Sequence, residues 1–153
     1  MSELTFDEDQ LKAVVEELVP GYQRDHVLAA LALEDPTQAD FDRCGTALTG
    51  EQVNTSFLLW TAARGIKRDS LWAAIKDETY DLLCTTSKKY SVERGKAEST
   101  IRDTVMIIAT AVAATFNLAL GVVVGAVTVA VMCALKVGRN AWCEVNKPTA
   151  QVR

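Results

Sequence analysis

His26 is the only histidine in the chain, and neither Cys nor Asp stands at a metal-ligand spacing from it, so a surface or capping role is the expectation. A glycine-rich phosphate loop, a nucleophile elbow and a paired-cysteine motif are all missing. The common sequence signatures of an enzyme are therefore absent, and neither catalysis nor a cofactor or metal is expected. No run alternates apolar and polar residues as a half-buried strand does, which excludes a sheet protein and leaves an all-α class. The start, MSELTFDEDQ, carries no cleavable signal peptide, which argues against secretion. Cys44, Cys84, Cys133 and Cys143 accordingly read as free thiols of a reducing, cytoplasmic compartment. A pI near 5.0 and an acidic amino-terminal half disfavour nucleic acid as a partner.

Charge is present, but unevenly. Residues 1–51 hold twelve acidic side chains against three basic ones, residues 52–103 seven against nine, and residues 136–153 one against four. Residues 104–135 hold none. The formal net charge of −4 thus averages an acidic beginning, a basic end and an uncharged block between them.

The first eighty or so residues divide into five short amphipathic helices. Thr5 and Glu8 have capping-box spacing, and Leu11, Val14, Val15 and Leu18 then repeat at helical period until Pro20 and Gly21 end the run. A second helix carries Val27, Leu28 and Leu31. Asp35 followed by Pro36 suggests an N-cap and first helical position for a third, with Phe41, Cys44 and Leu48 inward. Thr49 and Gln52 would cap a fourth, bearing Val53, Phe57, Leu58 and Trp60 and stopping at Gly65; Asp69 or Ser70 opens a fifth, with Leu71, Trp72, Ile75, Leu82 and Leu83. Helices this short need tertiary packing to persist. The expected organisation is an acidic helical bundle over 1–86, a basic linker helix over 87–103 running on into the block, the apolar segment over 104–135, and a basic tail over 136–153.

A bilayer core about 30 Å thick needs about 20 helical residues. One straight helix over 104–135 would be overlong, so two short helices joined at Asn117, with Gly121 close behind, are the better fit, as a transmembrane or a shallow re-entrant hairpin. Basic residues flank both ends: Lys88, Lys89, Arg94, Lys96 and Arg102 before, Lys136, Arg139 and Lys147 after. Two crossings keep both flanks and both termini cytoplasmic. Arg102, Lys136, Arg139 and Trp142 are the expected membrane-interface residues. Small residues at four-residue spacing, Ala109 with Ala113, Gly121 with Gly125, and Ala126, Ala130 and Ala134, allow close helix packing, within the hairpin or between hairpins.

In architecture alone, a small helical domain ahead of a two-helix membrane segment resembles the effectors of some bacterial immune systems, in which assembly disrupts the membrane. That resemblance implies a membrane-anchored assembly protein whose soluble domain organises self-associating hairpins. Its partners would be the lipid bilayer, further copies of the chain, and a protein bound by the acidic domain. The alternative is a soluble all-α adaptor that buries 104–135 in its own core or in a partner's groove.

Overall fold

A computed structural model of the chain describes residues 6–34, 36–49, 71–84 and 100–146. Its described residues form seven helices and no strand: α1 (Glu8–Leu18), α2 (Gly21–Leu31), α3 (Gln38–Thr49), α4 (Leu71–Cys84), α5 (Ile101–Phe116), α6 (Leu120–Val137) and α7 (Arg139–Val145). The sequence-predicted fourth helix, with Phe57 and Trp60, lies outside the described residues, as does the junction over 85–90.

Local chemistry sets where the helices start. Thr5 lies outside the described residues, and the N-cap of α1 is Asp7, whose Oδ1 accepts from the Gln10 amide at 3.1 Å while the Gln10 side-chain amide donates to Oδ2 at 3.1 Å. The cap thus sits two residues later than the Thr5 and Glu8 reading, and Gln10 returns its bond to the Asp7 carboxylate rather than to the Asp7 amide as in a capping box. α3 likewise begins behind Thr37 and not at Pro36: the Asp40 amide donates to the Thr37 hydroxyl at 3.3 Å, and the Thr37 amide donates to the Asp40 carboxylate at 2.9 Å. A residue whose side chain satisfies an orphan amide outcompetes a proline that only permits the turn. Thr100, in extended backbone, caps α5 by accepting from the Asp103 amide at 3.0 Å. α5 therefore starts at Ile101, and the helix over the apolar block does not extend back through Thr100.

α5 and α6 form an antiparallel hairpin. Asn117 closes α5 in the left-handed region, at φ 55° and ψ 48°, and the Leu118 amide donates back to the Ala113 carbonyl at 2.9 Å. Asn tolerates this conformation better than other residues with a Cβ.

The hairpin does not stand apart from the acidic helices. Every other described helix packs against α6, and all thirteen residues from Val123 to Leu135 are buried. Five valines in this stretch are buried, each worth roughly 1.5 kcal/mol or more on leaving water. α1 adds Leu11, Val14 and Val15, α2 adds Val27 and Leu31, α3 adds Phe41, and α4 adds Trp72, Ile75, Leu82 and Leu83. Among the described helices, α6 alone has the length and composition to cross a membrane. Here it is the centre of a helical bundle.

The reading of the cysteines as free thiols is overturned for two of them. Cys84, the last residue of α4, is disulfide-bonded to Cys143 in α7, with Cα atoms 5.7 Å apart. The partners are 59 positions apart, so no local spacing could announce the pair.

Candidate functional site

The element that separates this chain from an ordinary bundle is the uncharged hairpin, together with the contacts that hold it inside. Its two ends differ in character. At the tip, Ala114 to Leu120 are exposed without interruption, with Phe116, Leu118, Leu120 and Val122 each 37–39% exposed. Pro20 sits 3.6 Å from where a Cβ on Gly121 would be, and neighbouring Tyr22, 74% exposed, stands at the same end. The hairpin tip from Ala114 to Leu120 is thus apolar apart from Thr115 and Asn117.

At the root, charges and polar groups fasten the hairpin to its sheath. Lys136 donates from Nζ to the carbonyls of Leu31 at 3.2 Å and Leu33 at 2.8 Å, capping the carboxyl end of α2, where a cation is favoured. The same ammonium lies 5.5 Å from the centroid of the Phe6 ring. Arg102 at the start of α5 pairs with Glu17 of α1 at 3.0 Å, an exposed contact worth little by itself.

A second fastening joins α3, α4, α6 and α7. Asp42 Oδ1 accepts from Trp72 Nε1 at 2.9 Å, Lys76 Nζ at 3.0 Å and Gln38 Nε2 at 3.0 Å. Partial burial alone would raise the Asp42 carboxyl, but the bonds from Trp72, Lys76 and Gln38 outweigh it and hold it below the usual carboxylate range. Gln38 Oε1 in turn accepts from the Cys133 thiol of α6 at 3.6 Å and from Asn146 Nδ2, just beyond α7, at 3.4 Å. Gly45 of α3 lies directly under the Trp72 ring, so close that a Cβ would run into it. α4 is thereby anchored on α3.

Along the shaft, the small residues face the protein's own helices. Ala109, Ala113, Ala126, Ala130 and Ala134 are buried, and a Cβ on Gly125 would collide with the side-chain amide of Gln23. Gln23 is itself buried, and its Oε1 has no hydrogen-bond partner among the described residues. Trp142 is fully buried, and the Arg139 side chain lies outside what the structure describes. Sequence reading missed Gln23, Gln38, Asp42 and Lys76, because a polar residue that latches one helix to another reads as a solvated face.

His26 contributes its backbone carbonyl, which accepts from the half-buried Cys44 thiol at 3.6 Å; burial pushes that thiol up. A shallow cavity of about 270 Å³ between α2 and α3 is lined by His26, Leu33, Arg43 and Cys44. Among the described residues no group of His, Cys, Asp and Glu is placed to hold a metal ion. Comparison with known protein families, curated proteins and solved structures gave no match.

Proposed function

We propose that this chain is a membrane-inserting assembly protein, which shelters its hairpin beneath α1–α4 in water and delivers it to a lipid bilayer. There hairpins associate and breach the membrane, while the acidic helices gather further copies or a protein partner. The observation that carries this reading is the polarity of the hairpin: its exposed tip bears no charge, and its charges, Arg102, Asp103 and Lys136, stand at the root. A hairpin that crosses a bilayer must send its tip through first, and each charged side chain at mid-membrane costs about 2.5–3.5 kcal/mol. This tip incurs no such cost. The 18 residues of α6 span about 27 Å at 1.5 Å each, close to a hydrocarbon core of about 30 Å; the slightly shorter α5 requires modest local thinning. Both termini stay with their basic flanks on the cytoplasmic side.

The test is flotation of the full chain with anionic phospholipid vesicles, together with release of an entrapped dye. Wild type should float and release dye; Leu118→Glu combined with Leu120→Glu, both at exposed positions, should keep the helical fold and lose both properties. Labels at cysteines introduced at Ser2 and Ala150 should report the same side of the membrane, and opposite sides would replace the hairpin with a single tilted span.

The complete burial of Val123–Leu135 favours a second reading, a soluble all-α adaptor with 104–135 as its own core. A wild-type chain that stays in the aqueous phase with vesicles present, as a monomer without detergent, would establish that reading in place of the first.

A further inference from the structure

We infer that the Cys84–Cys143 disulfide is a redox clasp on the hairpin: while it is closed, α6 cannot leave the bundle, and its reduction releases the hairpin to the membrane. This rests on the membrane-inserting reading and names how that insertion is regulated. Gly138 is the only residue between α6 and α7, so whatever holds α7 also holds the carboxyl end of α6. The bridge holds α7 to the end of α4, and α4 is fixed to α3 through the Trp72 ring against Gly45 and the bonds from Trp72 and Lys76 to Asp42. Even with α7 fully unwound, the five steps from Gly138 to Cys143 extend no more than about 18 Å at roughly 3.5 Å each. α6 is about 27 Å long. The oxidised chain therefore lacks the reach to withdraw α6 by its own length unless α4 comes away from α3 as well, whereas in the reduced chain only the ties at this end, Lys136 on the α2 carbonyls and Asn146 on Gln38, oppose withdrawal.

The bridge is also placed where it can be exchanged. Both of its cysteines are only partly buried, whereas the free thiol of Cys133 is fully buried in α6. The co-reactant is a dithiol reductant. One of its thiolates attacks a sulfur of the bridge, forming a mixed disulfide and expelling the other protein sulfur as a thiolate, which takes up a proton. The second reductant thiol then displaces the first protein sulfur. The protein gains two electrons and two protons as Cys84 and Cys143 become thiols, and the reductant leaves as a disulfide.

The experiment follows dye release from phosphatidylglycerol and phosphatidylethanolamine vesicles on adding the full chain, either air-oxidised or pre-reduced with dithiothreitol. A maleimide gel shift counts free thiols in each sample. The oxidised chain should show two free thiols and release dye at least about tenfold more slowly than the reduced chain, since the closed loop acts on the opening step. The Cys84→Ser and Cys143→Ser double variant should match the reduced rate with or without dithiothreitol, and Cys44→Ser with Cys133→Ala should keep the full redox response. Circular dichroism of each variant before vesicles are added guards against loss of fold. Equal, fast release from oxidised and reduced wild type would overturn the clasp and leave the membrane reading standing. No release in either state would overturn both, and four free thiols in the air-oxidised chain would overturn the clasp alone.

Discussion

α5 and α6 are alike in composition and unlike in surroundings. Both are rich in Ala and Val, and the uncharged block makes up most of each, with Arg102 and Asp103 at the start of α5 and Lys136 at the end of α6. Yet α6 is buried on every side from Val123 to Leu135, whereas α5 leaves Thr110, Ala114 and Thr115 exposed, with Met106, Ile107 and Ala111 half-buried along the same face. The difference comes from position. α6 has helices all round it, and α5 forms part of the wall. Two helices drawn largely from the same uncharged block therefore carry different constraints in this fold.

The sharpest way to break this comparison is to place one charge on each helix. Val127→Asp buries an unpaired carboxylate in α6, where Val127 is fully buried, and should destabilise the fold by more than about 4 kcal/mol, enough to leave no cooperative urea transition. Thr110→Asp sets the same charge on the exposed face of α5 and should shift the urea midpoint by less than about 0.5 kcal/mol equivalent, while abolishing dye release from vesicles. A Thr110→Asp chain that still permeabilises vesicles would remove α5 from the inserted segment.

Reduction of the bridge should produce the next largest effect. Closing a loop of 59 positions is worth about 4 kcal/mol in the chain-entropy account, so dithiothreitol should lower the unfolding free energy by that order, as read by guanidinium titration monitored at the tryptophans. A loss under about 1 kcal/mol would mean that α7 is held mainly by its non-covalent contacts.

Smaller still is Gly125→Leu, which sets bulk against Gln23 and should cost about 1–3 kcal/mol of overpacking in the sheathed form. Gly121→Leu meets only Pro20 at ordinary contact distance and should cost less. Detergent-phase crosslinking of the two variants separates roles: an unchanged ladder of species would exclude the glycine face from association between hairpins.

The smallest expected effect is on pH dependence. Because the Asp42 carboxyl is held below its ordinary value in the fold, its contribution is complete above the unfolded value near 3.8 and is lost as pH falls through the lower folded value. Asp42→Asn should flatten this acid limb in a thermal-melt series below pH 5 and cost on the order of 1 kcal/mol at neutral pH. An acid limb of unchanged steepness would assign it to other carboxylates.

Much of the helical framework was legible in the chain. The period of Leu11, Val14 and Val15 marks the buried face of α1, and Trp72, Ile75, Leu82 and Leu83 mark that of α4, because helical geometry alone brings residues three and four apart to one side. Helix starts were legible in kind but not in place. Asp7 with Gln10 and Thr37 with Asp40 displaced Thr5 with Glu8 and Asp35 with Pro36, since several residues in each stretch could satisfy the same orphan amides. The latches were not legible at all. Gln23 against Gly125, Gln38 beside Cys133, and Cys84 bonded to Cys143 each join distant parts of the chain, and only the fold brings them together.

What the amino-acid order determined by itself is an all-helical chain in which most of residues 104–135 must leave water, because 32 consecutive positions without a charge offer solvent little to favour. What only the tertiary structure decided is where those residues go: in this fold, beneath α1–α4 and against α7, with the tip left bare. Hydropathy measures the gain on leaving water, and the interior of a bundle and the interior of a bilayer supply nearly the same gain. The destination depends on whether enough amphipathic surface elsewhere in the chain can be brought round to cover the helix, and that is a property of the packed whole.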